Sequence, residues 1–361
     1  MVPEQANYRV RTSFPCCRGL NKPPGFQGLV TSEQMAQTKS HPPYFSVVIP
    51  AYNAAHLISD ALKSVLAQTA DDYEIIVVND GSPDTAEFEK ALEPYLNDIT
   101  YIRRANGGPG AARNTGIRAA RGEFIAFLDS DDQWVPTHLA EMREFLQSDR
   151  TLDLVYGDAV DFGESANEGV TTMYANPSEG LVTFESLVLC KCTVVGSTVV
   201  ARRQALIDAG LFDESFMQGE DFDLWARLAY RGGRIDYRKH IHARRRIHKN
   251  NLTLDLIGSF EGQARALRKF MRELDLPEGL RKDMECEAEK CDAAIALEKC
   301  KQQLVARRYE EAVVELERAN ASFRSRKLQL LLYLMNIVPQ LVRHLYLRQR
   351  GHTSAKQESV V

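Results

Sequence analysis

From Phe45 onward, short apolar runs alternate with stretches of helical periodicity. Phe45-Ser46-Val47-Val48-Ile49 is a β-branched apolar run stopped by Pro50, which predicts a buried strand. Ala55–Gln68 sets Leu57, Ile58, Leu62, Val65 and Leu66 at helical spacing on one face. A second strand is predicted at Tyr73–Val78, ended by the turn Asp80-Gly81-Ser82-Pro83-Asp84. A helix over Thr85–Leu96, a strand at Ile99–Arg103, a loop at Asn106–Gly110 and a helix over Ala111–Ala120 follow. Glu123–Leu128 and Asp153–Tyr156 complete the strand series. Strands apolar on both faces and separated by helices predict an α/β fold whose mainly parallel sheet is covered on both sides. Such sheets bind ligands beyond the carboxyl ends of their strands. The polar clusters Pro50–Asn53, Asn79–Asp84 and Asp129–Asp132 each follow a strand, so they are expected along one rim.

The pattern changes after about residue 255, where charged, Ala- and Leu-rich helices replace strands. Ala294–Ala321 reads as one helical hairpin, without the period of a repeat array. The expected organisation is a disordered leader over 1–43, a catalytic α/β domain over 44–254, a helical extension over 255–350 and a disordered tail over 351–361. Residues 1–43 lack the apolar core of a secretory signal, and no apolar run is long enough to span a bilayer. A formal net charge of -4 gives no polyanion-binding signature, so nucleic acid is not an expected partner. Seven cysteines without a CxxC or zinc spacing suit a reduced cytoplasmic setting.

The chemistry concentrates in a few segments. In Asp129-Ser130-Asp131-Asp132, close carboxylates repel unless a positive charge sits among them. Extended backbone points Asp129 and Asp131 to the same side, where with a diphosphate they suit Mg²⁺ or Mn²⁺. Asp80, at a strand's end, is placed to accept hydrogen bonds from a base or a ribose hydroxyl. Gly107–Asn114 is a glycine-rich loop entering a helix; its amides suit an anion and Arg113 offers a guanidinium. No GxGxxG follows the first strand and no GxxxxGK[ST] occurs, against a dinucleotide fold and a P-loop ATPase.

Taken together, Phe45–Asn53, Val78-Asn79-Asp80-Gly81-Ser82, Ala112-Arg113-Asn114-Thr115-Gly116 and Asp129–Asp132 resemble family 2 glycosyltransferases over roughly residues 45–250. That resemblance implies a GT-A nucleotide-diphospho-sugar transferase fold, inversion at the donor's anomeric centre and a divalent metal, Mn²⁺ or Mg²⁺. It also implies a nucleotide-sugar site built from Pro50, Ala51, Tyr52, Asn53, Asp80, Gly110, Arg113, Asn114, Asp129, Ser130 and Asp131. Within it, Asp80 reads the base, and Asp131 and Asp132 meet ribose and metal, with the metal-touching carboxylate left open. Gly219-Glu220-Asp221 resembles the family's Glu-Asp motif, with Asp221 as general base and Glu220 beside it. Arg246 and His248 resemble the Arg-x-His that follows, implying a diphosphate contact and a metal ligand. The processive QxxRW motif is absent, so one sugar per acceptor is expected, on a saccharide or lipid-linked acceptor in cell-surface polysaccharide or glycoconjugate biosynthesis.

Two other classes compete: a sugar nucleotidyltransferase and a non-catalytic scaffold on the same fold. The first calls for a basic glycine loop after the first strand, where Pro50-Ala51-Tyr52-Asn53 stands; the second has no need of Asp129, Asp131, Asp132 and Asp221 together. Specificity is expected within 150–215, with Asp158, Asp161 and Gly196-Ser197-Thr198 as candidate contacts. The basic run Arg238–Lys249 reads either as diphosphate-facing or as a solvated loop. Leu-rich Leu328–Val342 lies between basic residues, with Pro339 expected to kink it. Residues 322–350 suit contact with the cytoplasmic membrane surface, or packing on the protein.

Overall fold

The computed structural model describes residues 41–163, 169–175, 177–249 and 251–358. The expected leader, up to residue 40, and the last three residues of the expected tail lie outside them. In chain order the α/β part comprises β1 (Phe45–Ala51), α1 (Ile58–Leu66), β2 (Tyr73–Asp80), α2 (Thr85–Leu92), β3 (Ile99–Arg104), α3 (Pro109–Ala119), β4 (Phe124–Phe127) and β5 (Gln133–Trp134). It continues with α4 (His138–Ser148), β6 (Leu154–Phe162), α5 (Thr172–Ala175), α6 (Phe184–Val188), β7 (Val200–Arg202), α7 (Arg203–Asp208), α8 (Glu220–Tyr230) and β8 (Ile235–Arg246). Five helices follow: α9 (Leu256–Glu273), α10 (Glu278–Val305), α11 (Tyr309–Phe323), α12 (Arg326–Ile337) and α13 (Pro339–Glu358).

The strands form one sheet in the order β3-β2-β1-β4-β7-β6-β8-β5. β3, β2, β1 and β4 run parallel, and β7 is antiparallel to both its neighbours. Successive side chains of a strand point to opposite faces. Accordingly Phe45, Val47 and Ile49 enter a core with Leu62, Phe88 and Trp134, while Val48 enters the opposite one with Ile117, Phe127 and Trp225. Both faces are therefore dry, which holds β1 in register. That register sets Ala51 opposite Asn79 and Asp80 opposite Arg104, so the polar turns meet at the carboxyl edge. Helix α3 lies close on β1, because a Cβ at Gly116 would stand 2.4 Å from Val48 Cγ1.

Besides the short segments β5, α5, α6 and α7, two strands were not foreseen. β7 is only three residues long, too short to carry a period. β8 is the basic run, a twelve-residue strand rather than a solvated loop, pairing in parallel with β6 and antiparallel with β5. Its cations are accommodated by specific neighbours. Arg238 stacks over Phe145, Arg244 and Arg246 over Phe162, and Arg245 is bidentate to Asp161 at 2.9 and 3.0 Å.

The extension is built onto the α/β part through a shared core. Phe216 and Ala226 pack there with Leu267 and Phe270 of α9 and Met284 of α10. The expected hairpin is α10–α11, turning through Arg307 at φ 62°. Pro339 does not kink a continuous helix. α12 ends at Ile337 and Pro339 opens α13, the position where its missing N–H costs nothing. With no proline after it, α13 runs to Glu358, beyond the expected limit of 350.

Gly116→Val would force two more methyl groups between α3 and β1. A loss of about 1–3 kcal/mol is expected, read as a lower urea midpoint with an unchanged slope. An unaltered midpoint would refute the close helix–strand contact.

Candidate active site

The rim is assembled by side chains that tie successive turns together. After β1 the chain turns at Asn53, held in the left-handed region at φ 54°, and its amide donates to Ser82 Oγ at 2.6 Å. The Ala55 amide donates to Asp84 Oδ2 at 2.8 Å, and the Ser82 amide to Asn79 Oδ1 at 2.9 Å. Thus the turn after β1 is fastened to the turn after β2. Ala51 is buried, Pro50 is half-buried, and Tyr52 projects with 55% of its surface exposed.

Asp80 is buried, and its carboxylate holds the glycine loop. It accepts the Gly107 amide at 3.1 Å, the Gly108 amide at 2.8 Å and Arg104 Nη1 at 2.8 Å. Gly108, at φ 86°, adopts a conformation that disfavours side chains and lets the loop turn into α3. Gly110 faces Phe212 and Glu220, whose Cβ atoms would lie 3.3 and 3.6 Å from a Cβ placed there. Asn114 is buried and works as a clamp. Its Nδ2 donates to the Phe212 carbonyl and its Oδ1 accepts the Phe212 amide, both at 2.9 Å.

Arg113 joins the two halves of the site. Its Nη2 donates to Asp129 Oδ1 at 2.7 Å and its Nη1 to Glu220 Oε1 at 2.6 Å, across 107 residues of sequence. Burial alone would lower the guanidinium's pKa, but Asp129 and Glu220 more than reverse that and raise it. The residue expected at the nucleotide therefore also fastens α8, and with it Asp221, to the acidic motif.

The acidic motif divides three ways. Asp129 pairs with Arg113. Asp131 Oδ2 lies 3.1 Å from His248 Nε2 and accepts Asn251 Nδ2 at 3.0 Å. Asp132 turns inward, accepting Ser197 Oγ at 2.6 Å and the Arg246 amide at 2.9 Å, and is almost fully buried. Ser130 is half-buried between them. Arg246 reaches Asp60 on α1 at 2.7 Å and donates from Nε to the Asp131 carbonyl at 3.1 Å. Sequence reasoning missed Asp60, Arg104 and Asn251; each is a lone polar residue made relevant only by the tertiary fold. Ser197 was expected as a specificity contact and instead supports Asp132, while Thr198 hydrogen-bonds the Gly157 carbonyl and Asp161 pairs with Arg245. Asp158 caps the Met173 and Ala159 amides.

Among the described residues no cluster of three or more His, Cys, Asp or Glu converges as a ready-made metal cage. Asp131 and His248 do stand side by side, an oxygen and a nitrogen donor. That pair suits an ion such as Mn²⁺ that completes its shell with diphosphate oxygens and water. Asp132, the other expected ligand, turns inward with both oxygens accepting hydrogen bonds within the protein.

Burial raises the pKa of Glu220 to about 7 against the pull of Arg113. It also raises that of Asp221, whose Oδ1 accepts the Phe222 amide at 2.7 Å. A half-buried carboxylate of raised basicity at the start of a helix is suited to taking up a proton. In the acidic motif, Asp131 is raised by burial and by Asp129, with His248 opposing, and Asp132 is raised well above the ordinary range by burial and its two neighbours.

The sheet, glycine loop and acidic rim are those of a GT-A nucleotide-diphospho-sugar transferase. The mannosyltransferase PcManGT of Pyrobaculum calidifontis, solved with GDP-Man and Mn²⁺, has the same fold, with a TM-score of 0.57 over 88% of this chain and 86% of its own at 20% identity. Residues 46–195 match the family model "Glycosyl transferase family 2". The Escherichia coli enzyme WfgD, a UDP-Glc:alpha-D-GlcNAc-diphosphoundecaprenol beta-1,3-glucosyltransferase, is 35% identical over 185 residues, covering 51% of this chain and 68% of WfgD. The chain belongs to glycosyl transferase family 2. An uncharacterized glycosyltransferase of Rickettsia conorii, RC0461, is 31% identical over 208 residues, 56% of this chain. There the match spans only 34% of the relative's length, so the chain corresponds to about a third of that protein.

Because Glu220 binds its proton more tightly folded than unfolded, it contributes stability at low pH that is lost as pH rises from its ordinary 4.5 through about 7. Thermal unfolding across that window should show a downward slope, and Glu220→Gln should flatten it. An identical slope in the variant would rule out Glu220 as its source.

Proposed function

We propose that this chain is an inverting glycosyltransferase. It moves one sugar from a nucleotide-diphosphate sugar to a hydroxyl of a saccharide or lipid-linked acceptor. The observation that carries the reading is the Arg113 bridge, which holds the Glu220-Asp221 helix against Asp129. Asp129 and Glu220 thereby share one guanidinium, which sets Asp221 beside the acidic motif.

In this reading the Asp221 carboxylate removes the acceptor hydroxyl's proton. The oxygen bonds to the anomeric carbon as the bond to the diphosphate breaks, and the nucleoside diphosphate leaves. Attack opposite the leaving group inverts the centre. Tyr52 offers an exposed ring for the base, and the Gly107–Gly110 loop shapes the nucleotide side. Asp131 and His248 would hold the divalent ion, which when bound neutralises charge developing on the leaving diphosphate. Arg246, at the same edge, adds a fixed cation. WfgD's lipid-linked acceptor supports a similar acceptor class here. The proposed role is in surface polysaccharide or glycoconjugate assembly at the cytoplasmic side.

Two experiments test the proposal. UDP-, GDP-, dTDP- and CMP-sugars, with and without Mn²⁺, should raise the thermal midpoint for at least one nucleotide, and more with metal. No stabilisation by any of them would count against the donor reading. Asp221→Asn should retain that stabilisation while lowering turnover by at least about a hundredfold; undiminished turnover would remove Asp221 from the mechanism.

A further inference from the structure

Helix α12 is apolar on two sides. Leu332 and Met335 face inward and pack with Cys300, Leu304 and Leu316 of the α10–α11 hairpin, joined by Val342 of α13. The other side carries Leu330, Tyr333, Leu334 and Ile337, spaced three and four residues apart, so they form one stripe. They are exposed by 60%, 65%, 37% and 57%. Leu341 and Leu345, one turn apart on α13, add exposures of 53% and 54%. Ordinary surface helices put charge on such a face, and a contiguous exposed apolar stripe marks a contact surface.

Charge identifies what covers it. From Arg318 to Gln357 the sequence contains no acidic residue. Exposed Arg326 and Lys327 stand one turn before Leu330, on the same side of α12, and exposed Arg348 lies three residues past Leu345. Two copies meeting through this face would bring like charges together, which is unfavourable. An anionic bilayer surface is complementary to both features: its acyl boundary accepts the leucines and its headgroups the cations. The contact is interfacial, since no helix among the described residues is long and apolar enough to cross a membrane.

We propose that the outer face of α12 and the first turns of α13 dock the protein on anionic membrane. Leu330, Tyr333 and Ile337 supply the inserted stripe, and Arg326 and Lys327 the headgroup contacts. This rests on no assumption about donor or metal. The test is co-sedimentation of the full chain with phosphatidylcholine vesicles, with and without phosphatidylglycerol. Wild type should bind the mixed vesicles at least about tenfold more tightly than the neutral ones, and release in high salt. Combined Leu330→Gln, Tyr333→Ser and Ile337→Gln should abolish binding with an unchanged circular dichroism spectrum. Arg326→Gln with Lys327→Gln, which leaves the packed face untouched, should weaken binding only to the anionic vesicles. Failure of wild type to bind, or equal binding by either variant, overturns the proposal. A wild-type dimer in sedimentation velocity that the triple variant dissociates, with no vesicle binding, also overturns it and assigns the face to self-association.

Discussion

The site depends on one buried guanidinium. Arg113 is the point where α3, the acidic motif after β4 and the start of α8 are held at fixed distances. Each of its two carboxylate partners comes from a different part of the chain, and neither has another strong cation at hydrogen-bonding distance among the described contacts. Breaking a buried pair by removing one member leaves the other charge uncompensated, a larger cost than the pair's net contribution. The arrangement therefore acts less as a stabiliser than as a selector of one relative placement of the acidic motif and α8. Asn114, on the same helix, reinforces it by clamping both backbone groups of Phe212.

Much of the parallel half of the sheet was legible in the sequence because parallel strands declare themselves. β1, β2 and β4 are apolar on both faces, and their polar turns must then lie on one edge. The glycine loop and the acidic motif were found for the same reason. What escaped were features whose meaning is purely tertiary. β8 reads in sequence as a diphosphate-facing or solvated loop rather than a strand, because nothing local shows that Phe145, Phe162 and Asp161 will receive its arginines. In sequence Asp60 is an ordinary first-turn acid of α1; only the fold brings Arg246 to it.

Assignments by motif were also coarser than the geometry. Asp129, Asp131 and Asp132 are near neighbours in sequence, yet a guanidinium, an imidazole and a serine hydroxyl respectively receive them. Asp80 and Asn114 carry structural duties that a binding-site label conceals: one shapes the loop, the other fastens it to the segment before α8.

The inward turn of Asp132 has an electrostatic consequence. With its burial favouring the protonated form and Asp129 already matched by Arg113, the rim presents far less negative potential than its three aspartates suggest. Of these three, only Asp131, itself beside an imidazole, remains to repel. A polyanionic ligand can therefore approach this edge against a weak opposing field, which favours fast encounter.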